Sequence, residues 1–541
     1  MKTKLFLLAL ATAAAWPAIA QKKSTSAKIT CTIGNATPTD TIRLLVWEDN
    51  LSERSAGELP YRTYTTINEK GTFRYKIDHL AHPVYFSLVK DKEKTFGHDV
   101  SVLSQYLLEP GDDINIHMDS LVRSYTHFYG DAEDTFTGYR IVNVGFTGKG
   151  SAKGEFTSRL DSLTQHWLKT SYTLKQPPQT AQPKAYDSAY YSGYPAMMGR
   201  ILEDRKAILD FQLATLKGYE NKMSPEAYQI TRANVIGNTE ASNVRLYSLL
   251  RPSAGDPAIS PSFYQSLCQQ LRVTYENRSG ADISGIPSAA LILSKDYIHY
   301  LTDQAYYLGP KDKQYEYLKG KYTGPLRDKL IADFLIKVFF YMKDNQEALN
   351  DAVTTVQSDF ALSQVKKIYN TQSIGRPAYN FTLPDIDGNI RKLSDFAGKI
   401  VFVDLWYTGC GACAKFYQYQ LSRVEEKYKD DPNIVFITIS IDADKATWIK
   451  SVKSGAYSSP DRENVVNLYT NGRGTEDPLI KAYNVTGYPH PFMIDRNGAI
   501  YRVNRLQAVA EELYPIIEEA IAKPQKDNKK TPASTLNKKM S

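Results

Sequence analysis

Hydrophobic positions change their spacing twice along the chain, near residue 120 and again near residue 375. From 24 to 120, apolar and polar residues alternate in short runs: AKITCTI (27–33), TIRLLV (41–46) and TFRYKI (72–77). Such a period of two belongs to strands with one covered face. Turn signals at 68–71 and 109–113, and a further run at 114–118, complete an antiparallel β domain, of which a sandwich is one form. From 121 to 370 the spacing becomes helical over 156–169, 196–219, 225–250, 261–275, 287–301, 324–342 and 363–369. Proline or glycine breaks these segments, and 171–195 reads as a loop, so a mainly helical middle domain is expected. From 375 to 522 the two patterns mix. A hairpin at 375–395 precedes an apolar strand at 400–404 and a nearly continuous apolar run at 433–440, which suits a sheet covered on both faces. A helix at 446–452, a polar stretch at 453–474, a short helix at 477–483, a hairpin at 492–503 and a closing helix at 508–522 follow. This third part reads as an α/β domain.

The two ends carry other signals. Lys2 and Lys4, an apolar core at 5–15 and the small-x-small site Ala18-Ile19-Ala20 read as a secretory signal over 1–20, with Gln21 as the first mature residue. That apolar run is short for a membrane span, and no later stretch is long and apolar enough, so no transmembrane segment is expected in the mature chain. No cysteine stands at the cleavage site to carry a lipid. The expected location is the periplasm or another extracytoplasmic compartment, where disulfides persist. The formal charge of +7 includes this leader and a tail, 523–541, holding six lysines against one aspartate. The tail reads as disordered, and the charge makes no case for a nucleic-acid partner. The 38 tyrosines suit large surfaces and core rims and define no ligand.

Candidate chemistry sits in KIVFVDLWYTGCGACAK (399–415). A strand turns at Thr408-Gly409 and feeds a helical segment that begins with Cys410 and Cys413. Two cysteines so spaced can close a small disulfide ring, and the helix start stabilises a thiolate on the first. The other readings are half of a zinc site, or inert core thiols. Zinc needs two more ligands; the remaining cysteines, Cys31 and Cys268, lie far apart, and of the eight histidines only His79 and His82 are close. No metal or cofactor is expected. Cys31 alternates within a β run and Cys268 falls on a helix, which leaves two buried free thiols or a disulfide linking the two domains. Asp404 ends an otherwise apolar strand six residues before Cys410. A carboxylate there is costly to bury unless it works as an acid or base or is held by hydrogen bonds.

Several ordered motifs then resemble the thioredoxin fold and, within it, the extracytoplasmic thiol-disulfide oxidoreductases of the TlpA/ResA type. They are PDIDG (384–388), LSDFAGK (393–399), DLW (404–406), Cys410-x-x-Cys413, and GYP (487–489) followed by FMID (492–495). The resemblance implies that Cys410, exposed at the helix start, attacks a substrate disulfide and that the more buried Cys413 resolves the mixed disulfide. It implies that Asp404 accepts the Cys413 proton and that Trp406 packs beneath the site. Pro489 is expected to be cis, setting the Tyr488 backbone beside Cys410 to pair with an extended peptide. His490, where the family often has threonine, either shifts the local field or sits on the surface. Gly409 and Ala412 replace the family's usual tryptophan and proline around Cys410; Gly409 opens the surface beside it. Phe416 and Gln418 stand where the TlpA/ResA type often has glutamate and proline. The segments GTF (71–73) and LEPGD (108–112) resemble an accessory β domain that precedes thioredoxin domains in exported Bacteroidetes proteins.

The expected function is an exported oxidoreductase that reduces protein or peptide disulfides with electrons from a membrane-linked donor. Without such a donor the same pair works as oxidant or isomerase. The alternative is an extracytoplasmic binding or assembly protein carrying the thioredoxin-like domain as an attached module. A peroxidase would need a proline that the stretch before Cys410 lacks.

Overall fold

The computed structural model describes residues 25–47, 62–65, 70–95, 98–126, 135–160, 188–252, 259–483, 485, 487–507 and 509–524. The expected leader, most of the 171–195 loop and the tail beyond 524 lie outside the described residues.

Two four-stranded sheets open the chain. One has the order β4-β1-β7-β8, from β1 (Thr25–Ile33), β4 (Thr72–Leu80), β7 (Asp113–Thr126) and β8 (Thr135–Lys149). The other has the order β3-β2-β5-β6, from β2 (Ile42–Trp47), β3 (Arg62–Thr65), β5 (Val84–Thr95) and β6 (His98–Leu108). Alternate residues of β1 and β4, such as Ile29, Cys31, Phe73 and Ile77, share one core with Leu44, Val46, Phe86 and Leu88 of the second sheet. That is a sandwich. It departs from the sequence reading in two ways. Strand β1 runs parallel to β7, with Ile29 opposite Ile114, so the first sheet is mixed rather than wholly antiparallel. Strands also continue past residue 120, because β8 pairs along β7 as far as Lys149 opposite Asp113.

The middle region is helical, with long helices at Tyr194–Lys217, Pro225–Leu249, Pro261–Arg278, Lys295–Leu308, Gly324–Val338 and Asp359–Gln372. Ser224 and Ser260 precede Pro225 and Pro261, and each side chain accepts the N–H three residues on, from Ala227 and Phe263. Serine at the cap and proline at the first position start a helix for complementary reasons. The segment expected as one helix at 287–301 is two, because Ser294 caps the second by accepting the Tyr297 N–H at 3.2 Å. Helices at Gln314–Lys321 and Asn345–Thr355 add to those expected. Cys31 is buried and free, and Cys268 is half-buried and free, so the linking disulfide is absent. Burial pushes the Cys31 thiol up to about 12. No helix among the described residues is long and apolar enough to cross a membrane.

The C-terminal domain is an α/β layer. The hairpin β9 (Thr382–Pro384) and β10 (Ile390–Lys392) precedes a five-stranded sheet of order β13-β12-β11-β14-β15. Its centre is β11 (Ile400–Trp406), parallel to β12 (Ile434–Ser440) and antiparallel to β14 (Phe492–Ile494); β15 is Ile500–Arg502. Strand β13 (Val465–Tyr469) lies inside the stretch expected to be polar and pairs parallel to β12. Every residue of β11 and β12 is buried. Ile400 and Phe402 face the helices Gly411–Phe416 and Ala510–Ala522, while Val401, Val403 and Leu405 join the core on the opposite face. The middle region touches this domain where Asn504 Nδ2 donates to the Met342 carbonyl at 2.9 Å.

Candidate active site

Strand β11 ends at Trp406, and the chain turns through Tyr407–Gly409 into the helix Gly411–Phe416. Gly409 has φ +92°, a region where a side chain is strained, and its N–H donates to the Tyr457 hydroxyl at 2.9 Å. The turn is held a second time by Asp442, just past the end of β12. It accepts the Thr408 N–H and hydroxyl, both at 2.8 Å. Cys410 is the helix cap and is joined by a disulfide to Cys413, with the Cα atoms 5.2 Å apart. The Cys413 N–H donates to Cys410 Sγ at 3.1 Å. The helix then passes through a π turn at Tyr417–Leu421 and continues as Ser422–Lys427.

Cys410 is less open than expected. It retains 5% exposure against 1% for Cys413. Both cysteines share a core cluster with Trp406, and Tyr407 and Tyr488 pack against it. Gly409, Gly411 and Ala412 beside them are exposed. Trp406 is fully buried beneath the pair and stacks on Tyr457 with ring centroids 4.9 Å apart.

The bond between Tyr488 and Pro489 is cis. Tyr488 sets its ring edge-on to Tyr407 at 5.4 Å, and burial raises its hydroxyl well above the ordinary value. Gln507 Nε2 donates to the Pro489 carbonyl at 2.6 Å, fixing the loop. His490 is buried, which excludes the surface position; its ring lies 4.2 Å from that of Phe340 in the middle region. Loss of hydration pulls its imidazole down to about 3, so it is neutral at physiological pH. A cleft of about 250 Å³ opens beside Pro489, His490, Pro491, Phe340 and Arg505.

Asp404 is fully enclosed, and its Oδ1 has no hydrogen-bond partner among the described residues. Burial, and then the nearby Glu425 carboxylate, hold its carboxyl well above the usual range; the backbone amides of His490 and Leu405 oppose this. Among the described residues no group of three or more His, Cys, Asp or Glu side chains is placed to hold a metal. The structure thus gathers Cys410, Cys413, Asp404, Trp406, Gly409, Tyr488, Pro489 and His490 around one end of β11. Reading the sequence missed Asp442, Tyr457, Glu425 and Arg462. Asp442 had a local signal, since it lies two residues past the end of the buried strand β12.

A thioredoxin-like family matches residues 398–500. The thiol-disulfide oxidoreductase ResA of Bacillus thuringiensis subsp. konkukian is 31% identical over 140 residues, 26% of this chain and 74% of that protein. ResA of Geobacillus kaustophilus is 27% identical over 134 residues, 24% of this chain and 68% of that protein. The solved thioredoxin domain of a Bacteroides vulgatus thiol-disulfide oxidoreductase is 26% identical, spans 28% of this chain and 99% of its own, and superposes with a TM-score of 0.24. Through its C-terminal domain the chain belongs to the thioredoxin-like thiol-disulfide oxidoreductases to which ResA belongs, and Cys410–Cys413 is its redox-active disulfide.

Proposed function

We propose that the chain is an exported protein-disulfide reductase of the TlpA/ResA type that works outside the cytoplasm. The observation that carries this reading is the Cys410–Cys413 ring at a helix start beside the cis Pro489 loop. In the reduced protein, Cys410 attacks a substrate disulfide as the thiolate and forms a mixed disulfide. Cys413 then gives its proton to Asp404, attacks Cys410 Sγ and releases the second substrate thiol. The substrate disulfide gains two electrons, the pair loses two, and a membrane-linked dithiol donor restores it. The Tyr488–Pro489 backbone offers an extended partner for the substrate polypeptide. The burial of Asp404 and the exposed residues around Cys410 support these roles.

The test is equilibration of the purified protein with glutathione buffers, followed by trapping and counting of thiols. A potential near the −270 mV or so typical of thioredoxin fits a reductant, whereas about −120 mV would make the pair an oxidant and overturn the direction.

A further inference from the structure

We propose that Glu425, held by Arg462, is a positioning residue for the resolving step and acts on Cys413 through Asp404. This rests on the reading of Asp404 as the Cys413 proton acceptor.

Three features bring the groups together. Side chains alternate along a strand. Asp404 therefore leaves β11 on the same face as Ile400 and Phe402, the face covered by the active-site helix run. Along that run Cys413, Phe416, Tyr417, Leu421, Val424 and Glu425 are buried. The π turn adds a residue between Tyr417 and Leu421 and so turns Glu425 inward with Val424. Glu425 is completely enclosed: Arg462 Nη1 donates to its Oε2 at 2.9 Å, and its Oε1 has no partner among the described residues. Asp404 Oδ1 is similarly bare, so two buried carboxylates lie on one side of the sheet, with the Arg462 guanidinium bonded to Glu425.

The surrounding groups allow little other compensation. Asp404 pairs in register with Thr438 of β12, and Thr438 with Asn467 of β13. The Thr438 hydroxyl is committed to Ser458 and Asn467, both at 2.9 Å. On the helix, Tyr417 faces Glu425; before β13, Arg462 also reaches the exposed Glu426 at 3.3 Å. Burial pushes Glu425 up to about 7, with Arg462 opposing, so its charge changes in the neutral range. When charged, it makes Asp404 hold its proton to higher pH and delays the form that can accept the Cys413 proton.

The test uses the full chain with Cys410 loaded with glutathione. Release of the glutathione thiol by Cys413 is followed against pH in the parent, Glu425→Gln, Glu426→Gln and Asp404→Asn. The expected result is a midpoint lowered by about one pH unit in Glu425→Gln, a tenfold change in proton affinity, with Glu426→Gln at the parental value. A parental midpoint in Glu425→Gln beside an altered profile in Asp404→Asn overturns the inference and leaves the acceptor reading standing. Equal shifts in Glu425→Gln and Glu426→Gln overturn it as a surface-charge effect. A parental profile in Asp404→Asn removes the acceptor reading and this inference together. If Glu425→Gln does not fold, carboxyl-labelled NMR of the parent decides. Asp404 should show a second inflection where Glu425 titrates, and a single-step titration overturns the inference.

Discussion

The backbone N–H of Cys413 points at Cys410 Sγ, 3.1 Å away. On the proposed mechanism the same donor would serve a thiolate on Cys410 in the reduced protein. Charge-assisted bonds of this kind, together with the helix dipole, lower a thiol's proton affinity. In a Cys413→Ser variant, Cys410 should therefore be alkylated faster at neutral pH than an unperturbed thiol. Alkylation at the rate of an unperturbed thiol would mean that the helix start does nothing for this sulfur.

Asp404 supplies a second prediction. Asp404→Asn should keep the fold and slow resolution of the mixed disulfide near neutral pH by about 10- to 100-fold, within the range of one acid–base group. The rate should recover as pH rises and the Cys413 thiol ionises unaided. Stopped-flow release of the substrate thiol measures it, and parental rates at every pH would reduce Asp404 to a structural residue.

Glu425 ties stability to pH. Its folded proton affinity lies at about 7, above the ordinary 4.5. Between those values the folded chain holds a proton that the unfolded chain has lost. The contribution is complete below pH 4.5 and disappears as pH rises through 7. At 1.36 kcal/mol per pH unit it amounts to about 3 kcal/mol. Urea unfolding of oxidised parent and Glu425→Gln should show the parent losing about this much relative to the variant between pH 5 and 8. Parallel curves would place Glu425 in an ordinary solvated environment.

Gly409 is a backbone prediction. At φ +92° a Cβ is strained, so Gly409→Ala should cost about 1–2 kcal/mol of stability. It should also loosen the bond to Tyr457. A variant as stable as the parent by thermal unfolding would show that the turn adapts freely.

The parts of the site legible in the sequence are those that lie close along the chain. Cys410, Cys413, Asp404 and Trp406 share one strand–turn–helix, and Pro489 is marked by its glycine and by the apolar strand after it. Glu425 was hidden because the π turn at Tyr417–Leu421 changes which helix positions face inward. Arg462 and Tyr457 lie in a polar stretch whose placement depends on β13 docking against β12, a pairing that local spacing cannot signal. For the same reason the alternation of β1 identified a half-buried strand without showing that its neighbour β7 runs parallel. Strand β8 carries Gly138, Gly145 and Gly148 among its apolar residues, which blurs its period and left the strand-rich region ending too early.

The division of labour between the two cysteines is tested most directly by trapping. Reduced Cys413→Ser and Cys410→Ser proteins are each mixed with extracytoplasmic proteins bearing disulfides, alkylated and run on non-reducing gels, and adducts are read by mass spectrometry. If Cys410 attacks and Cys413 resolves, Cys413→Ser accumulates mixed disulfides through Cys410 while Cys410→Ser accumulates almost none. Adducts through Cys413 in Cys410→Ser, with none in Cys413→Ser, would contradict the account.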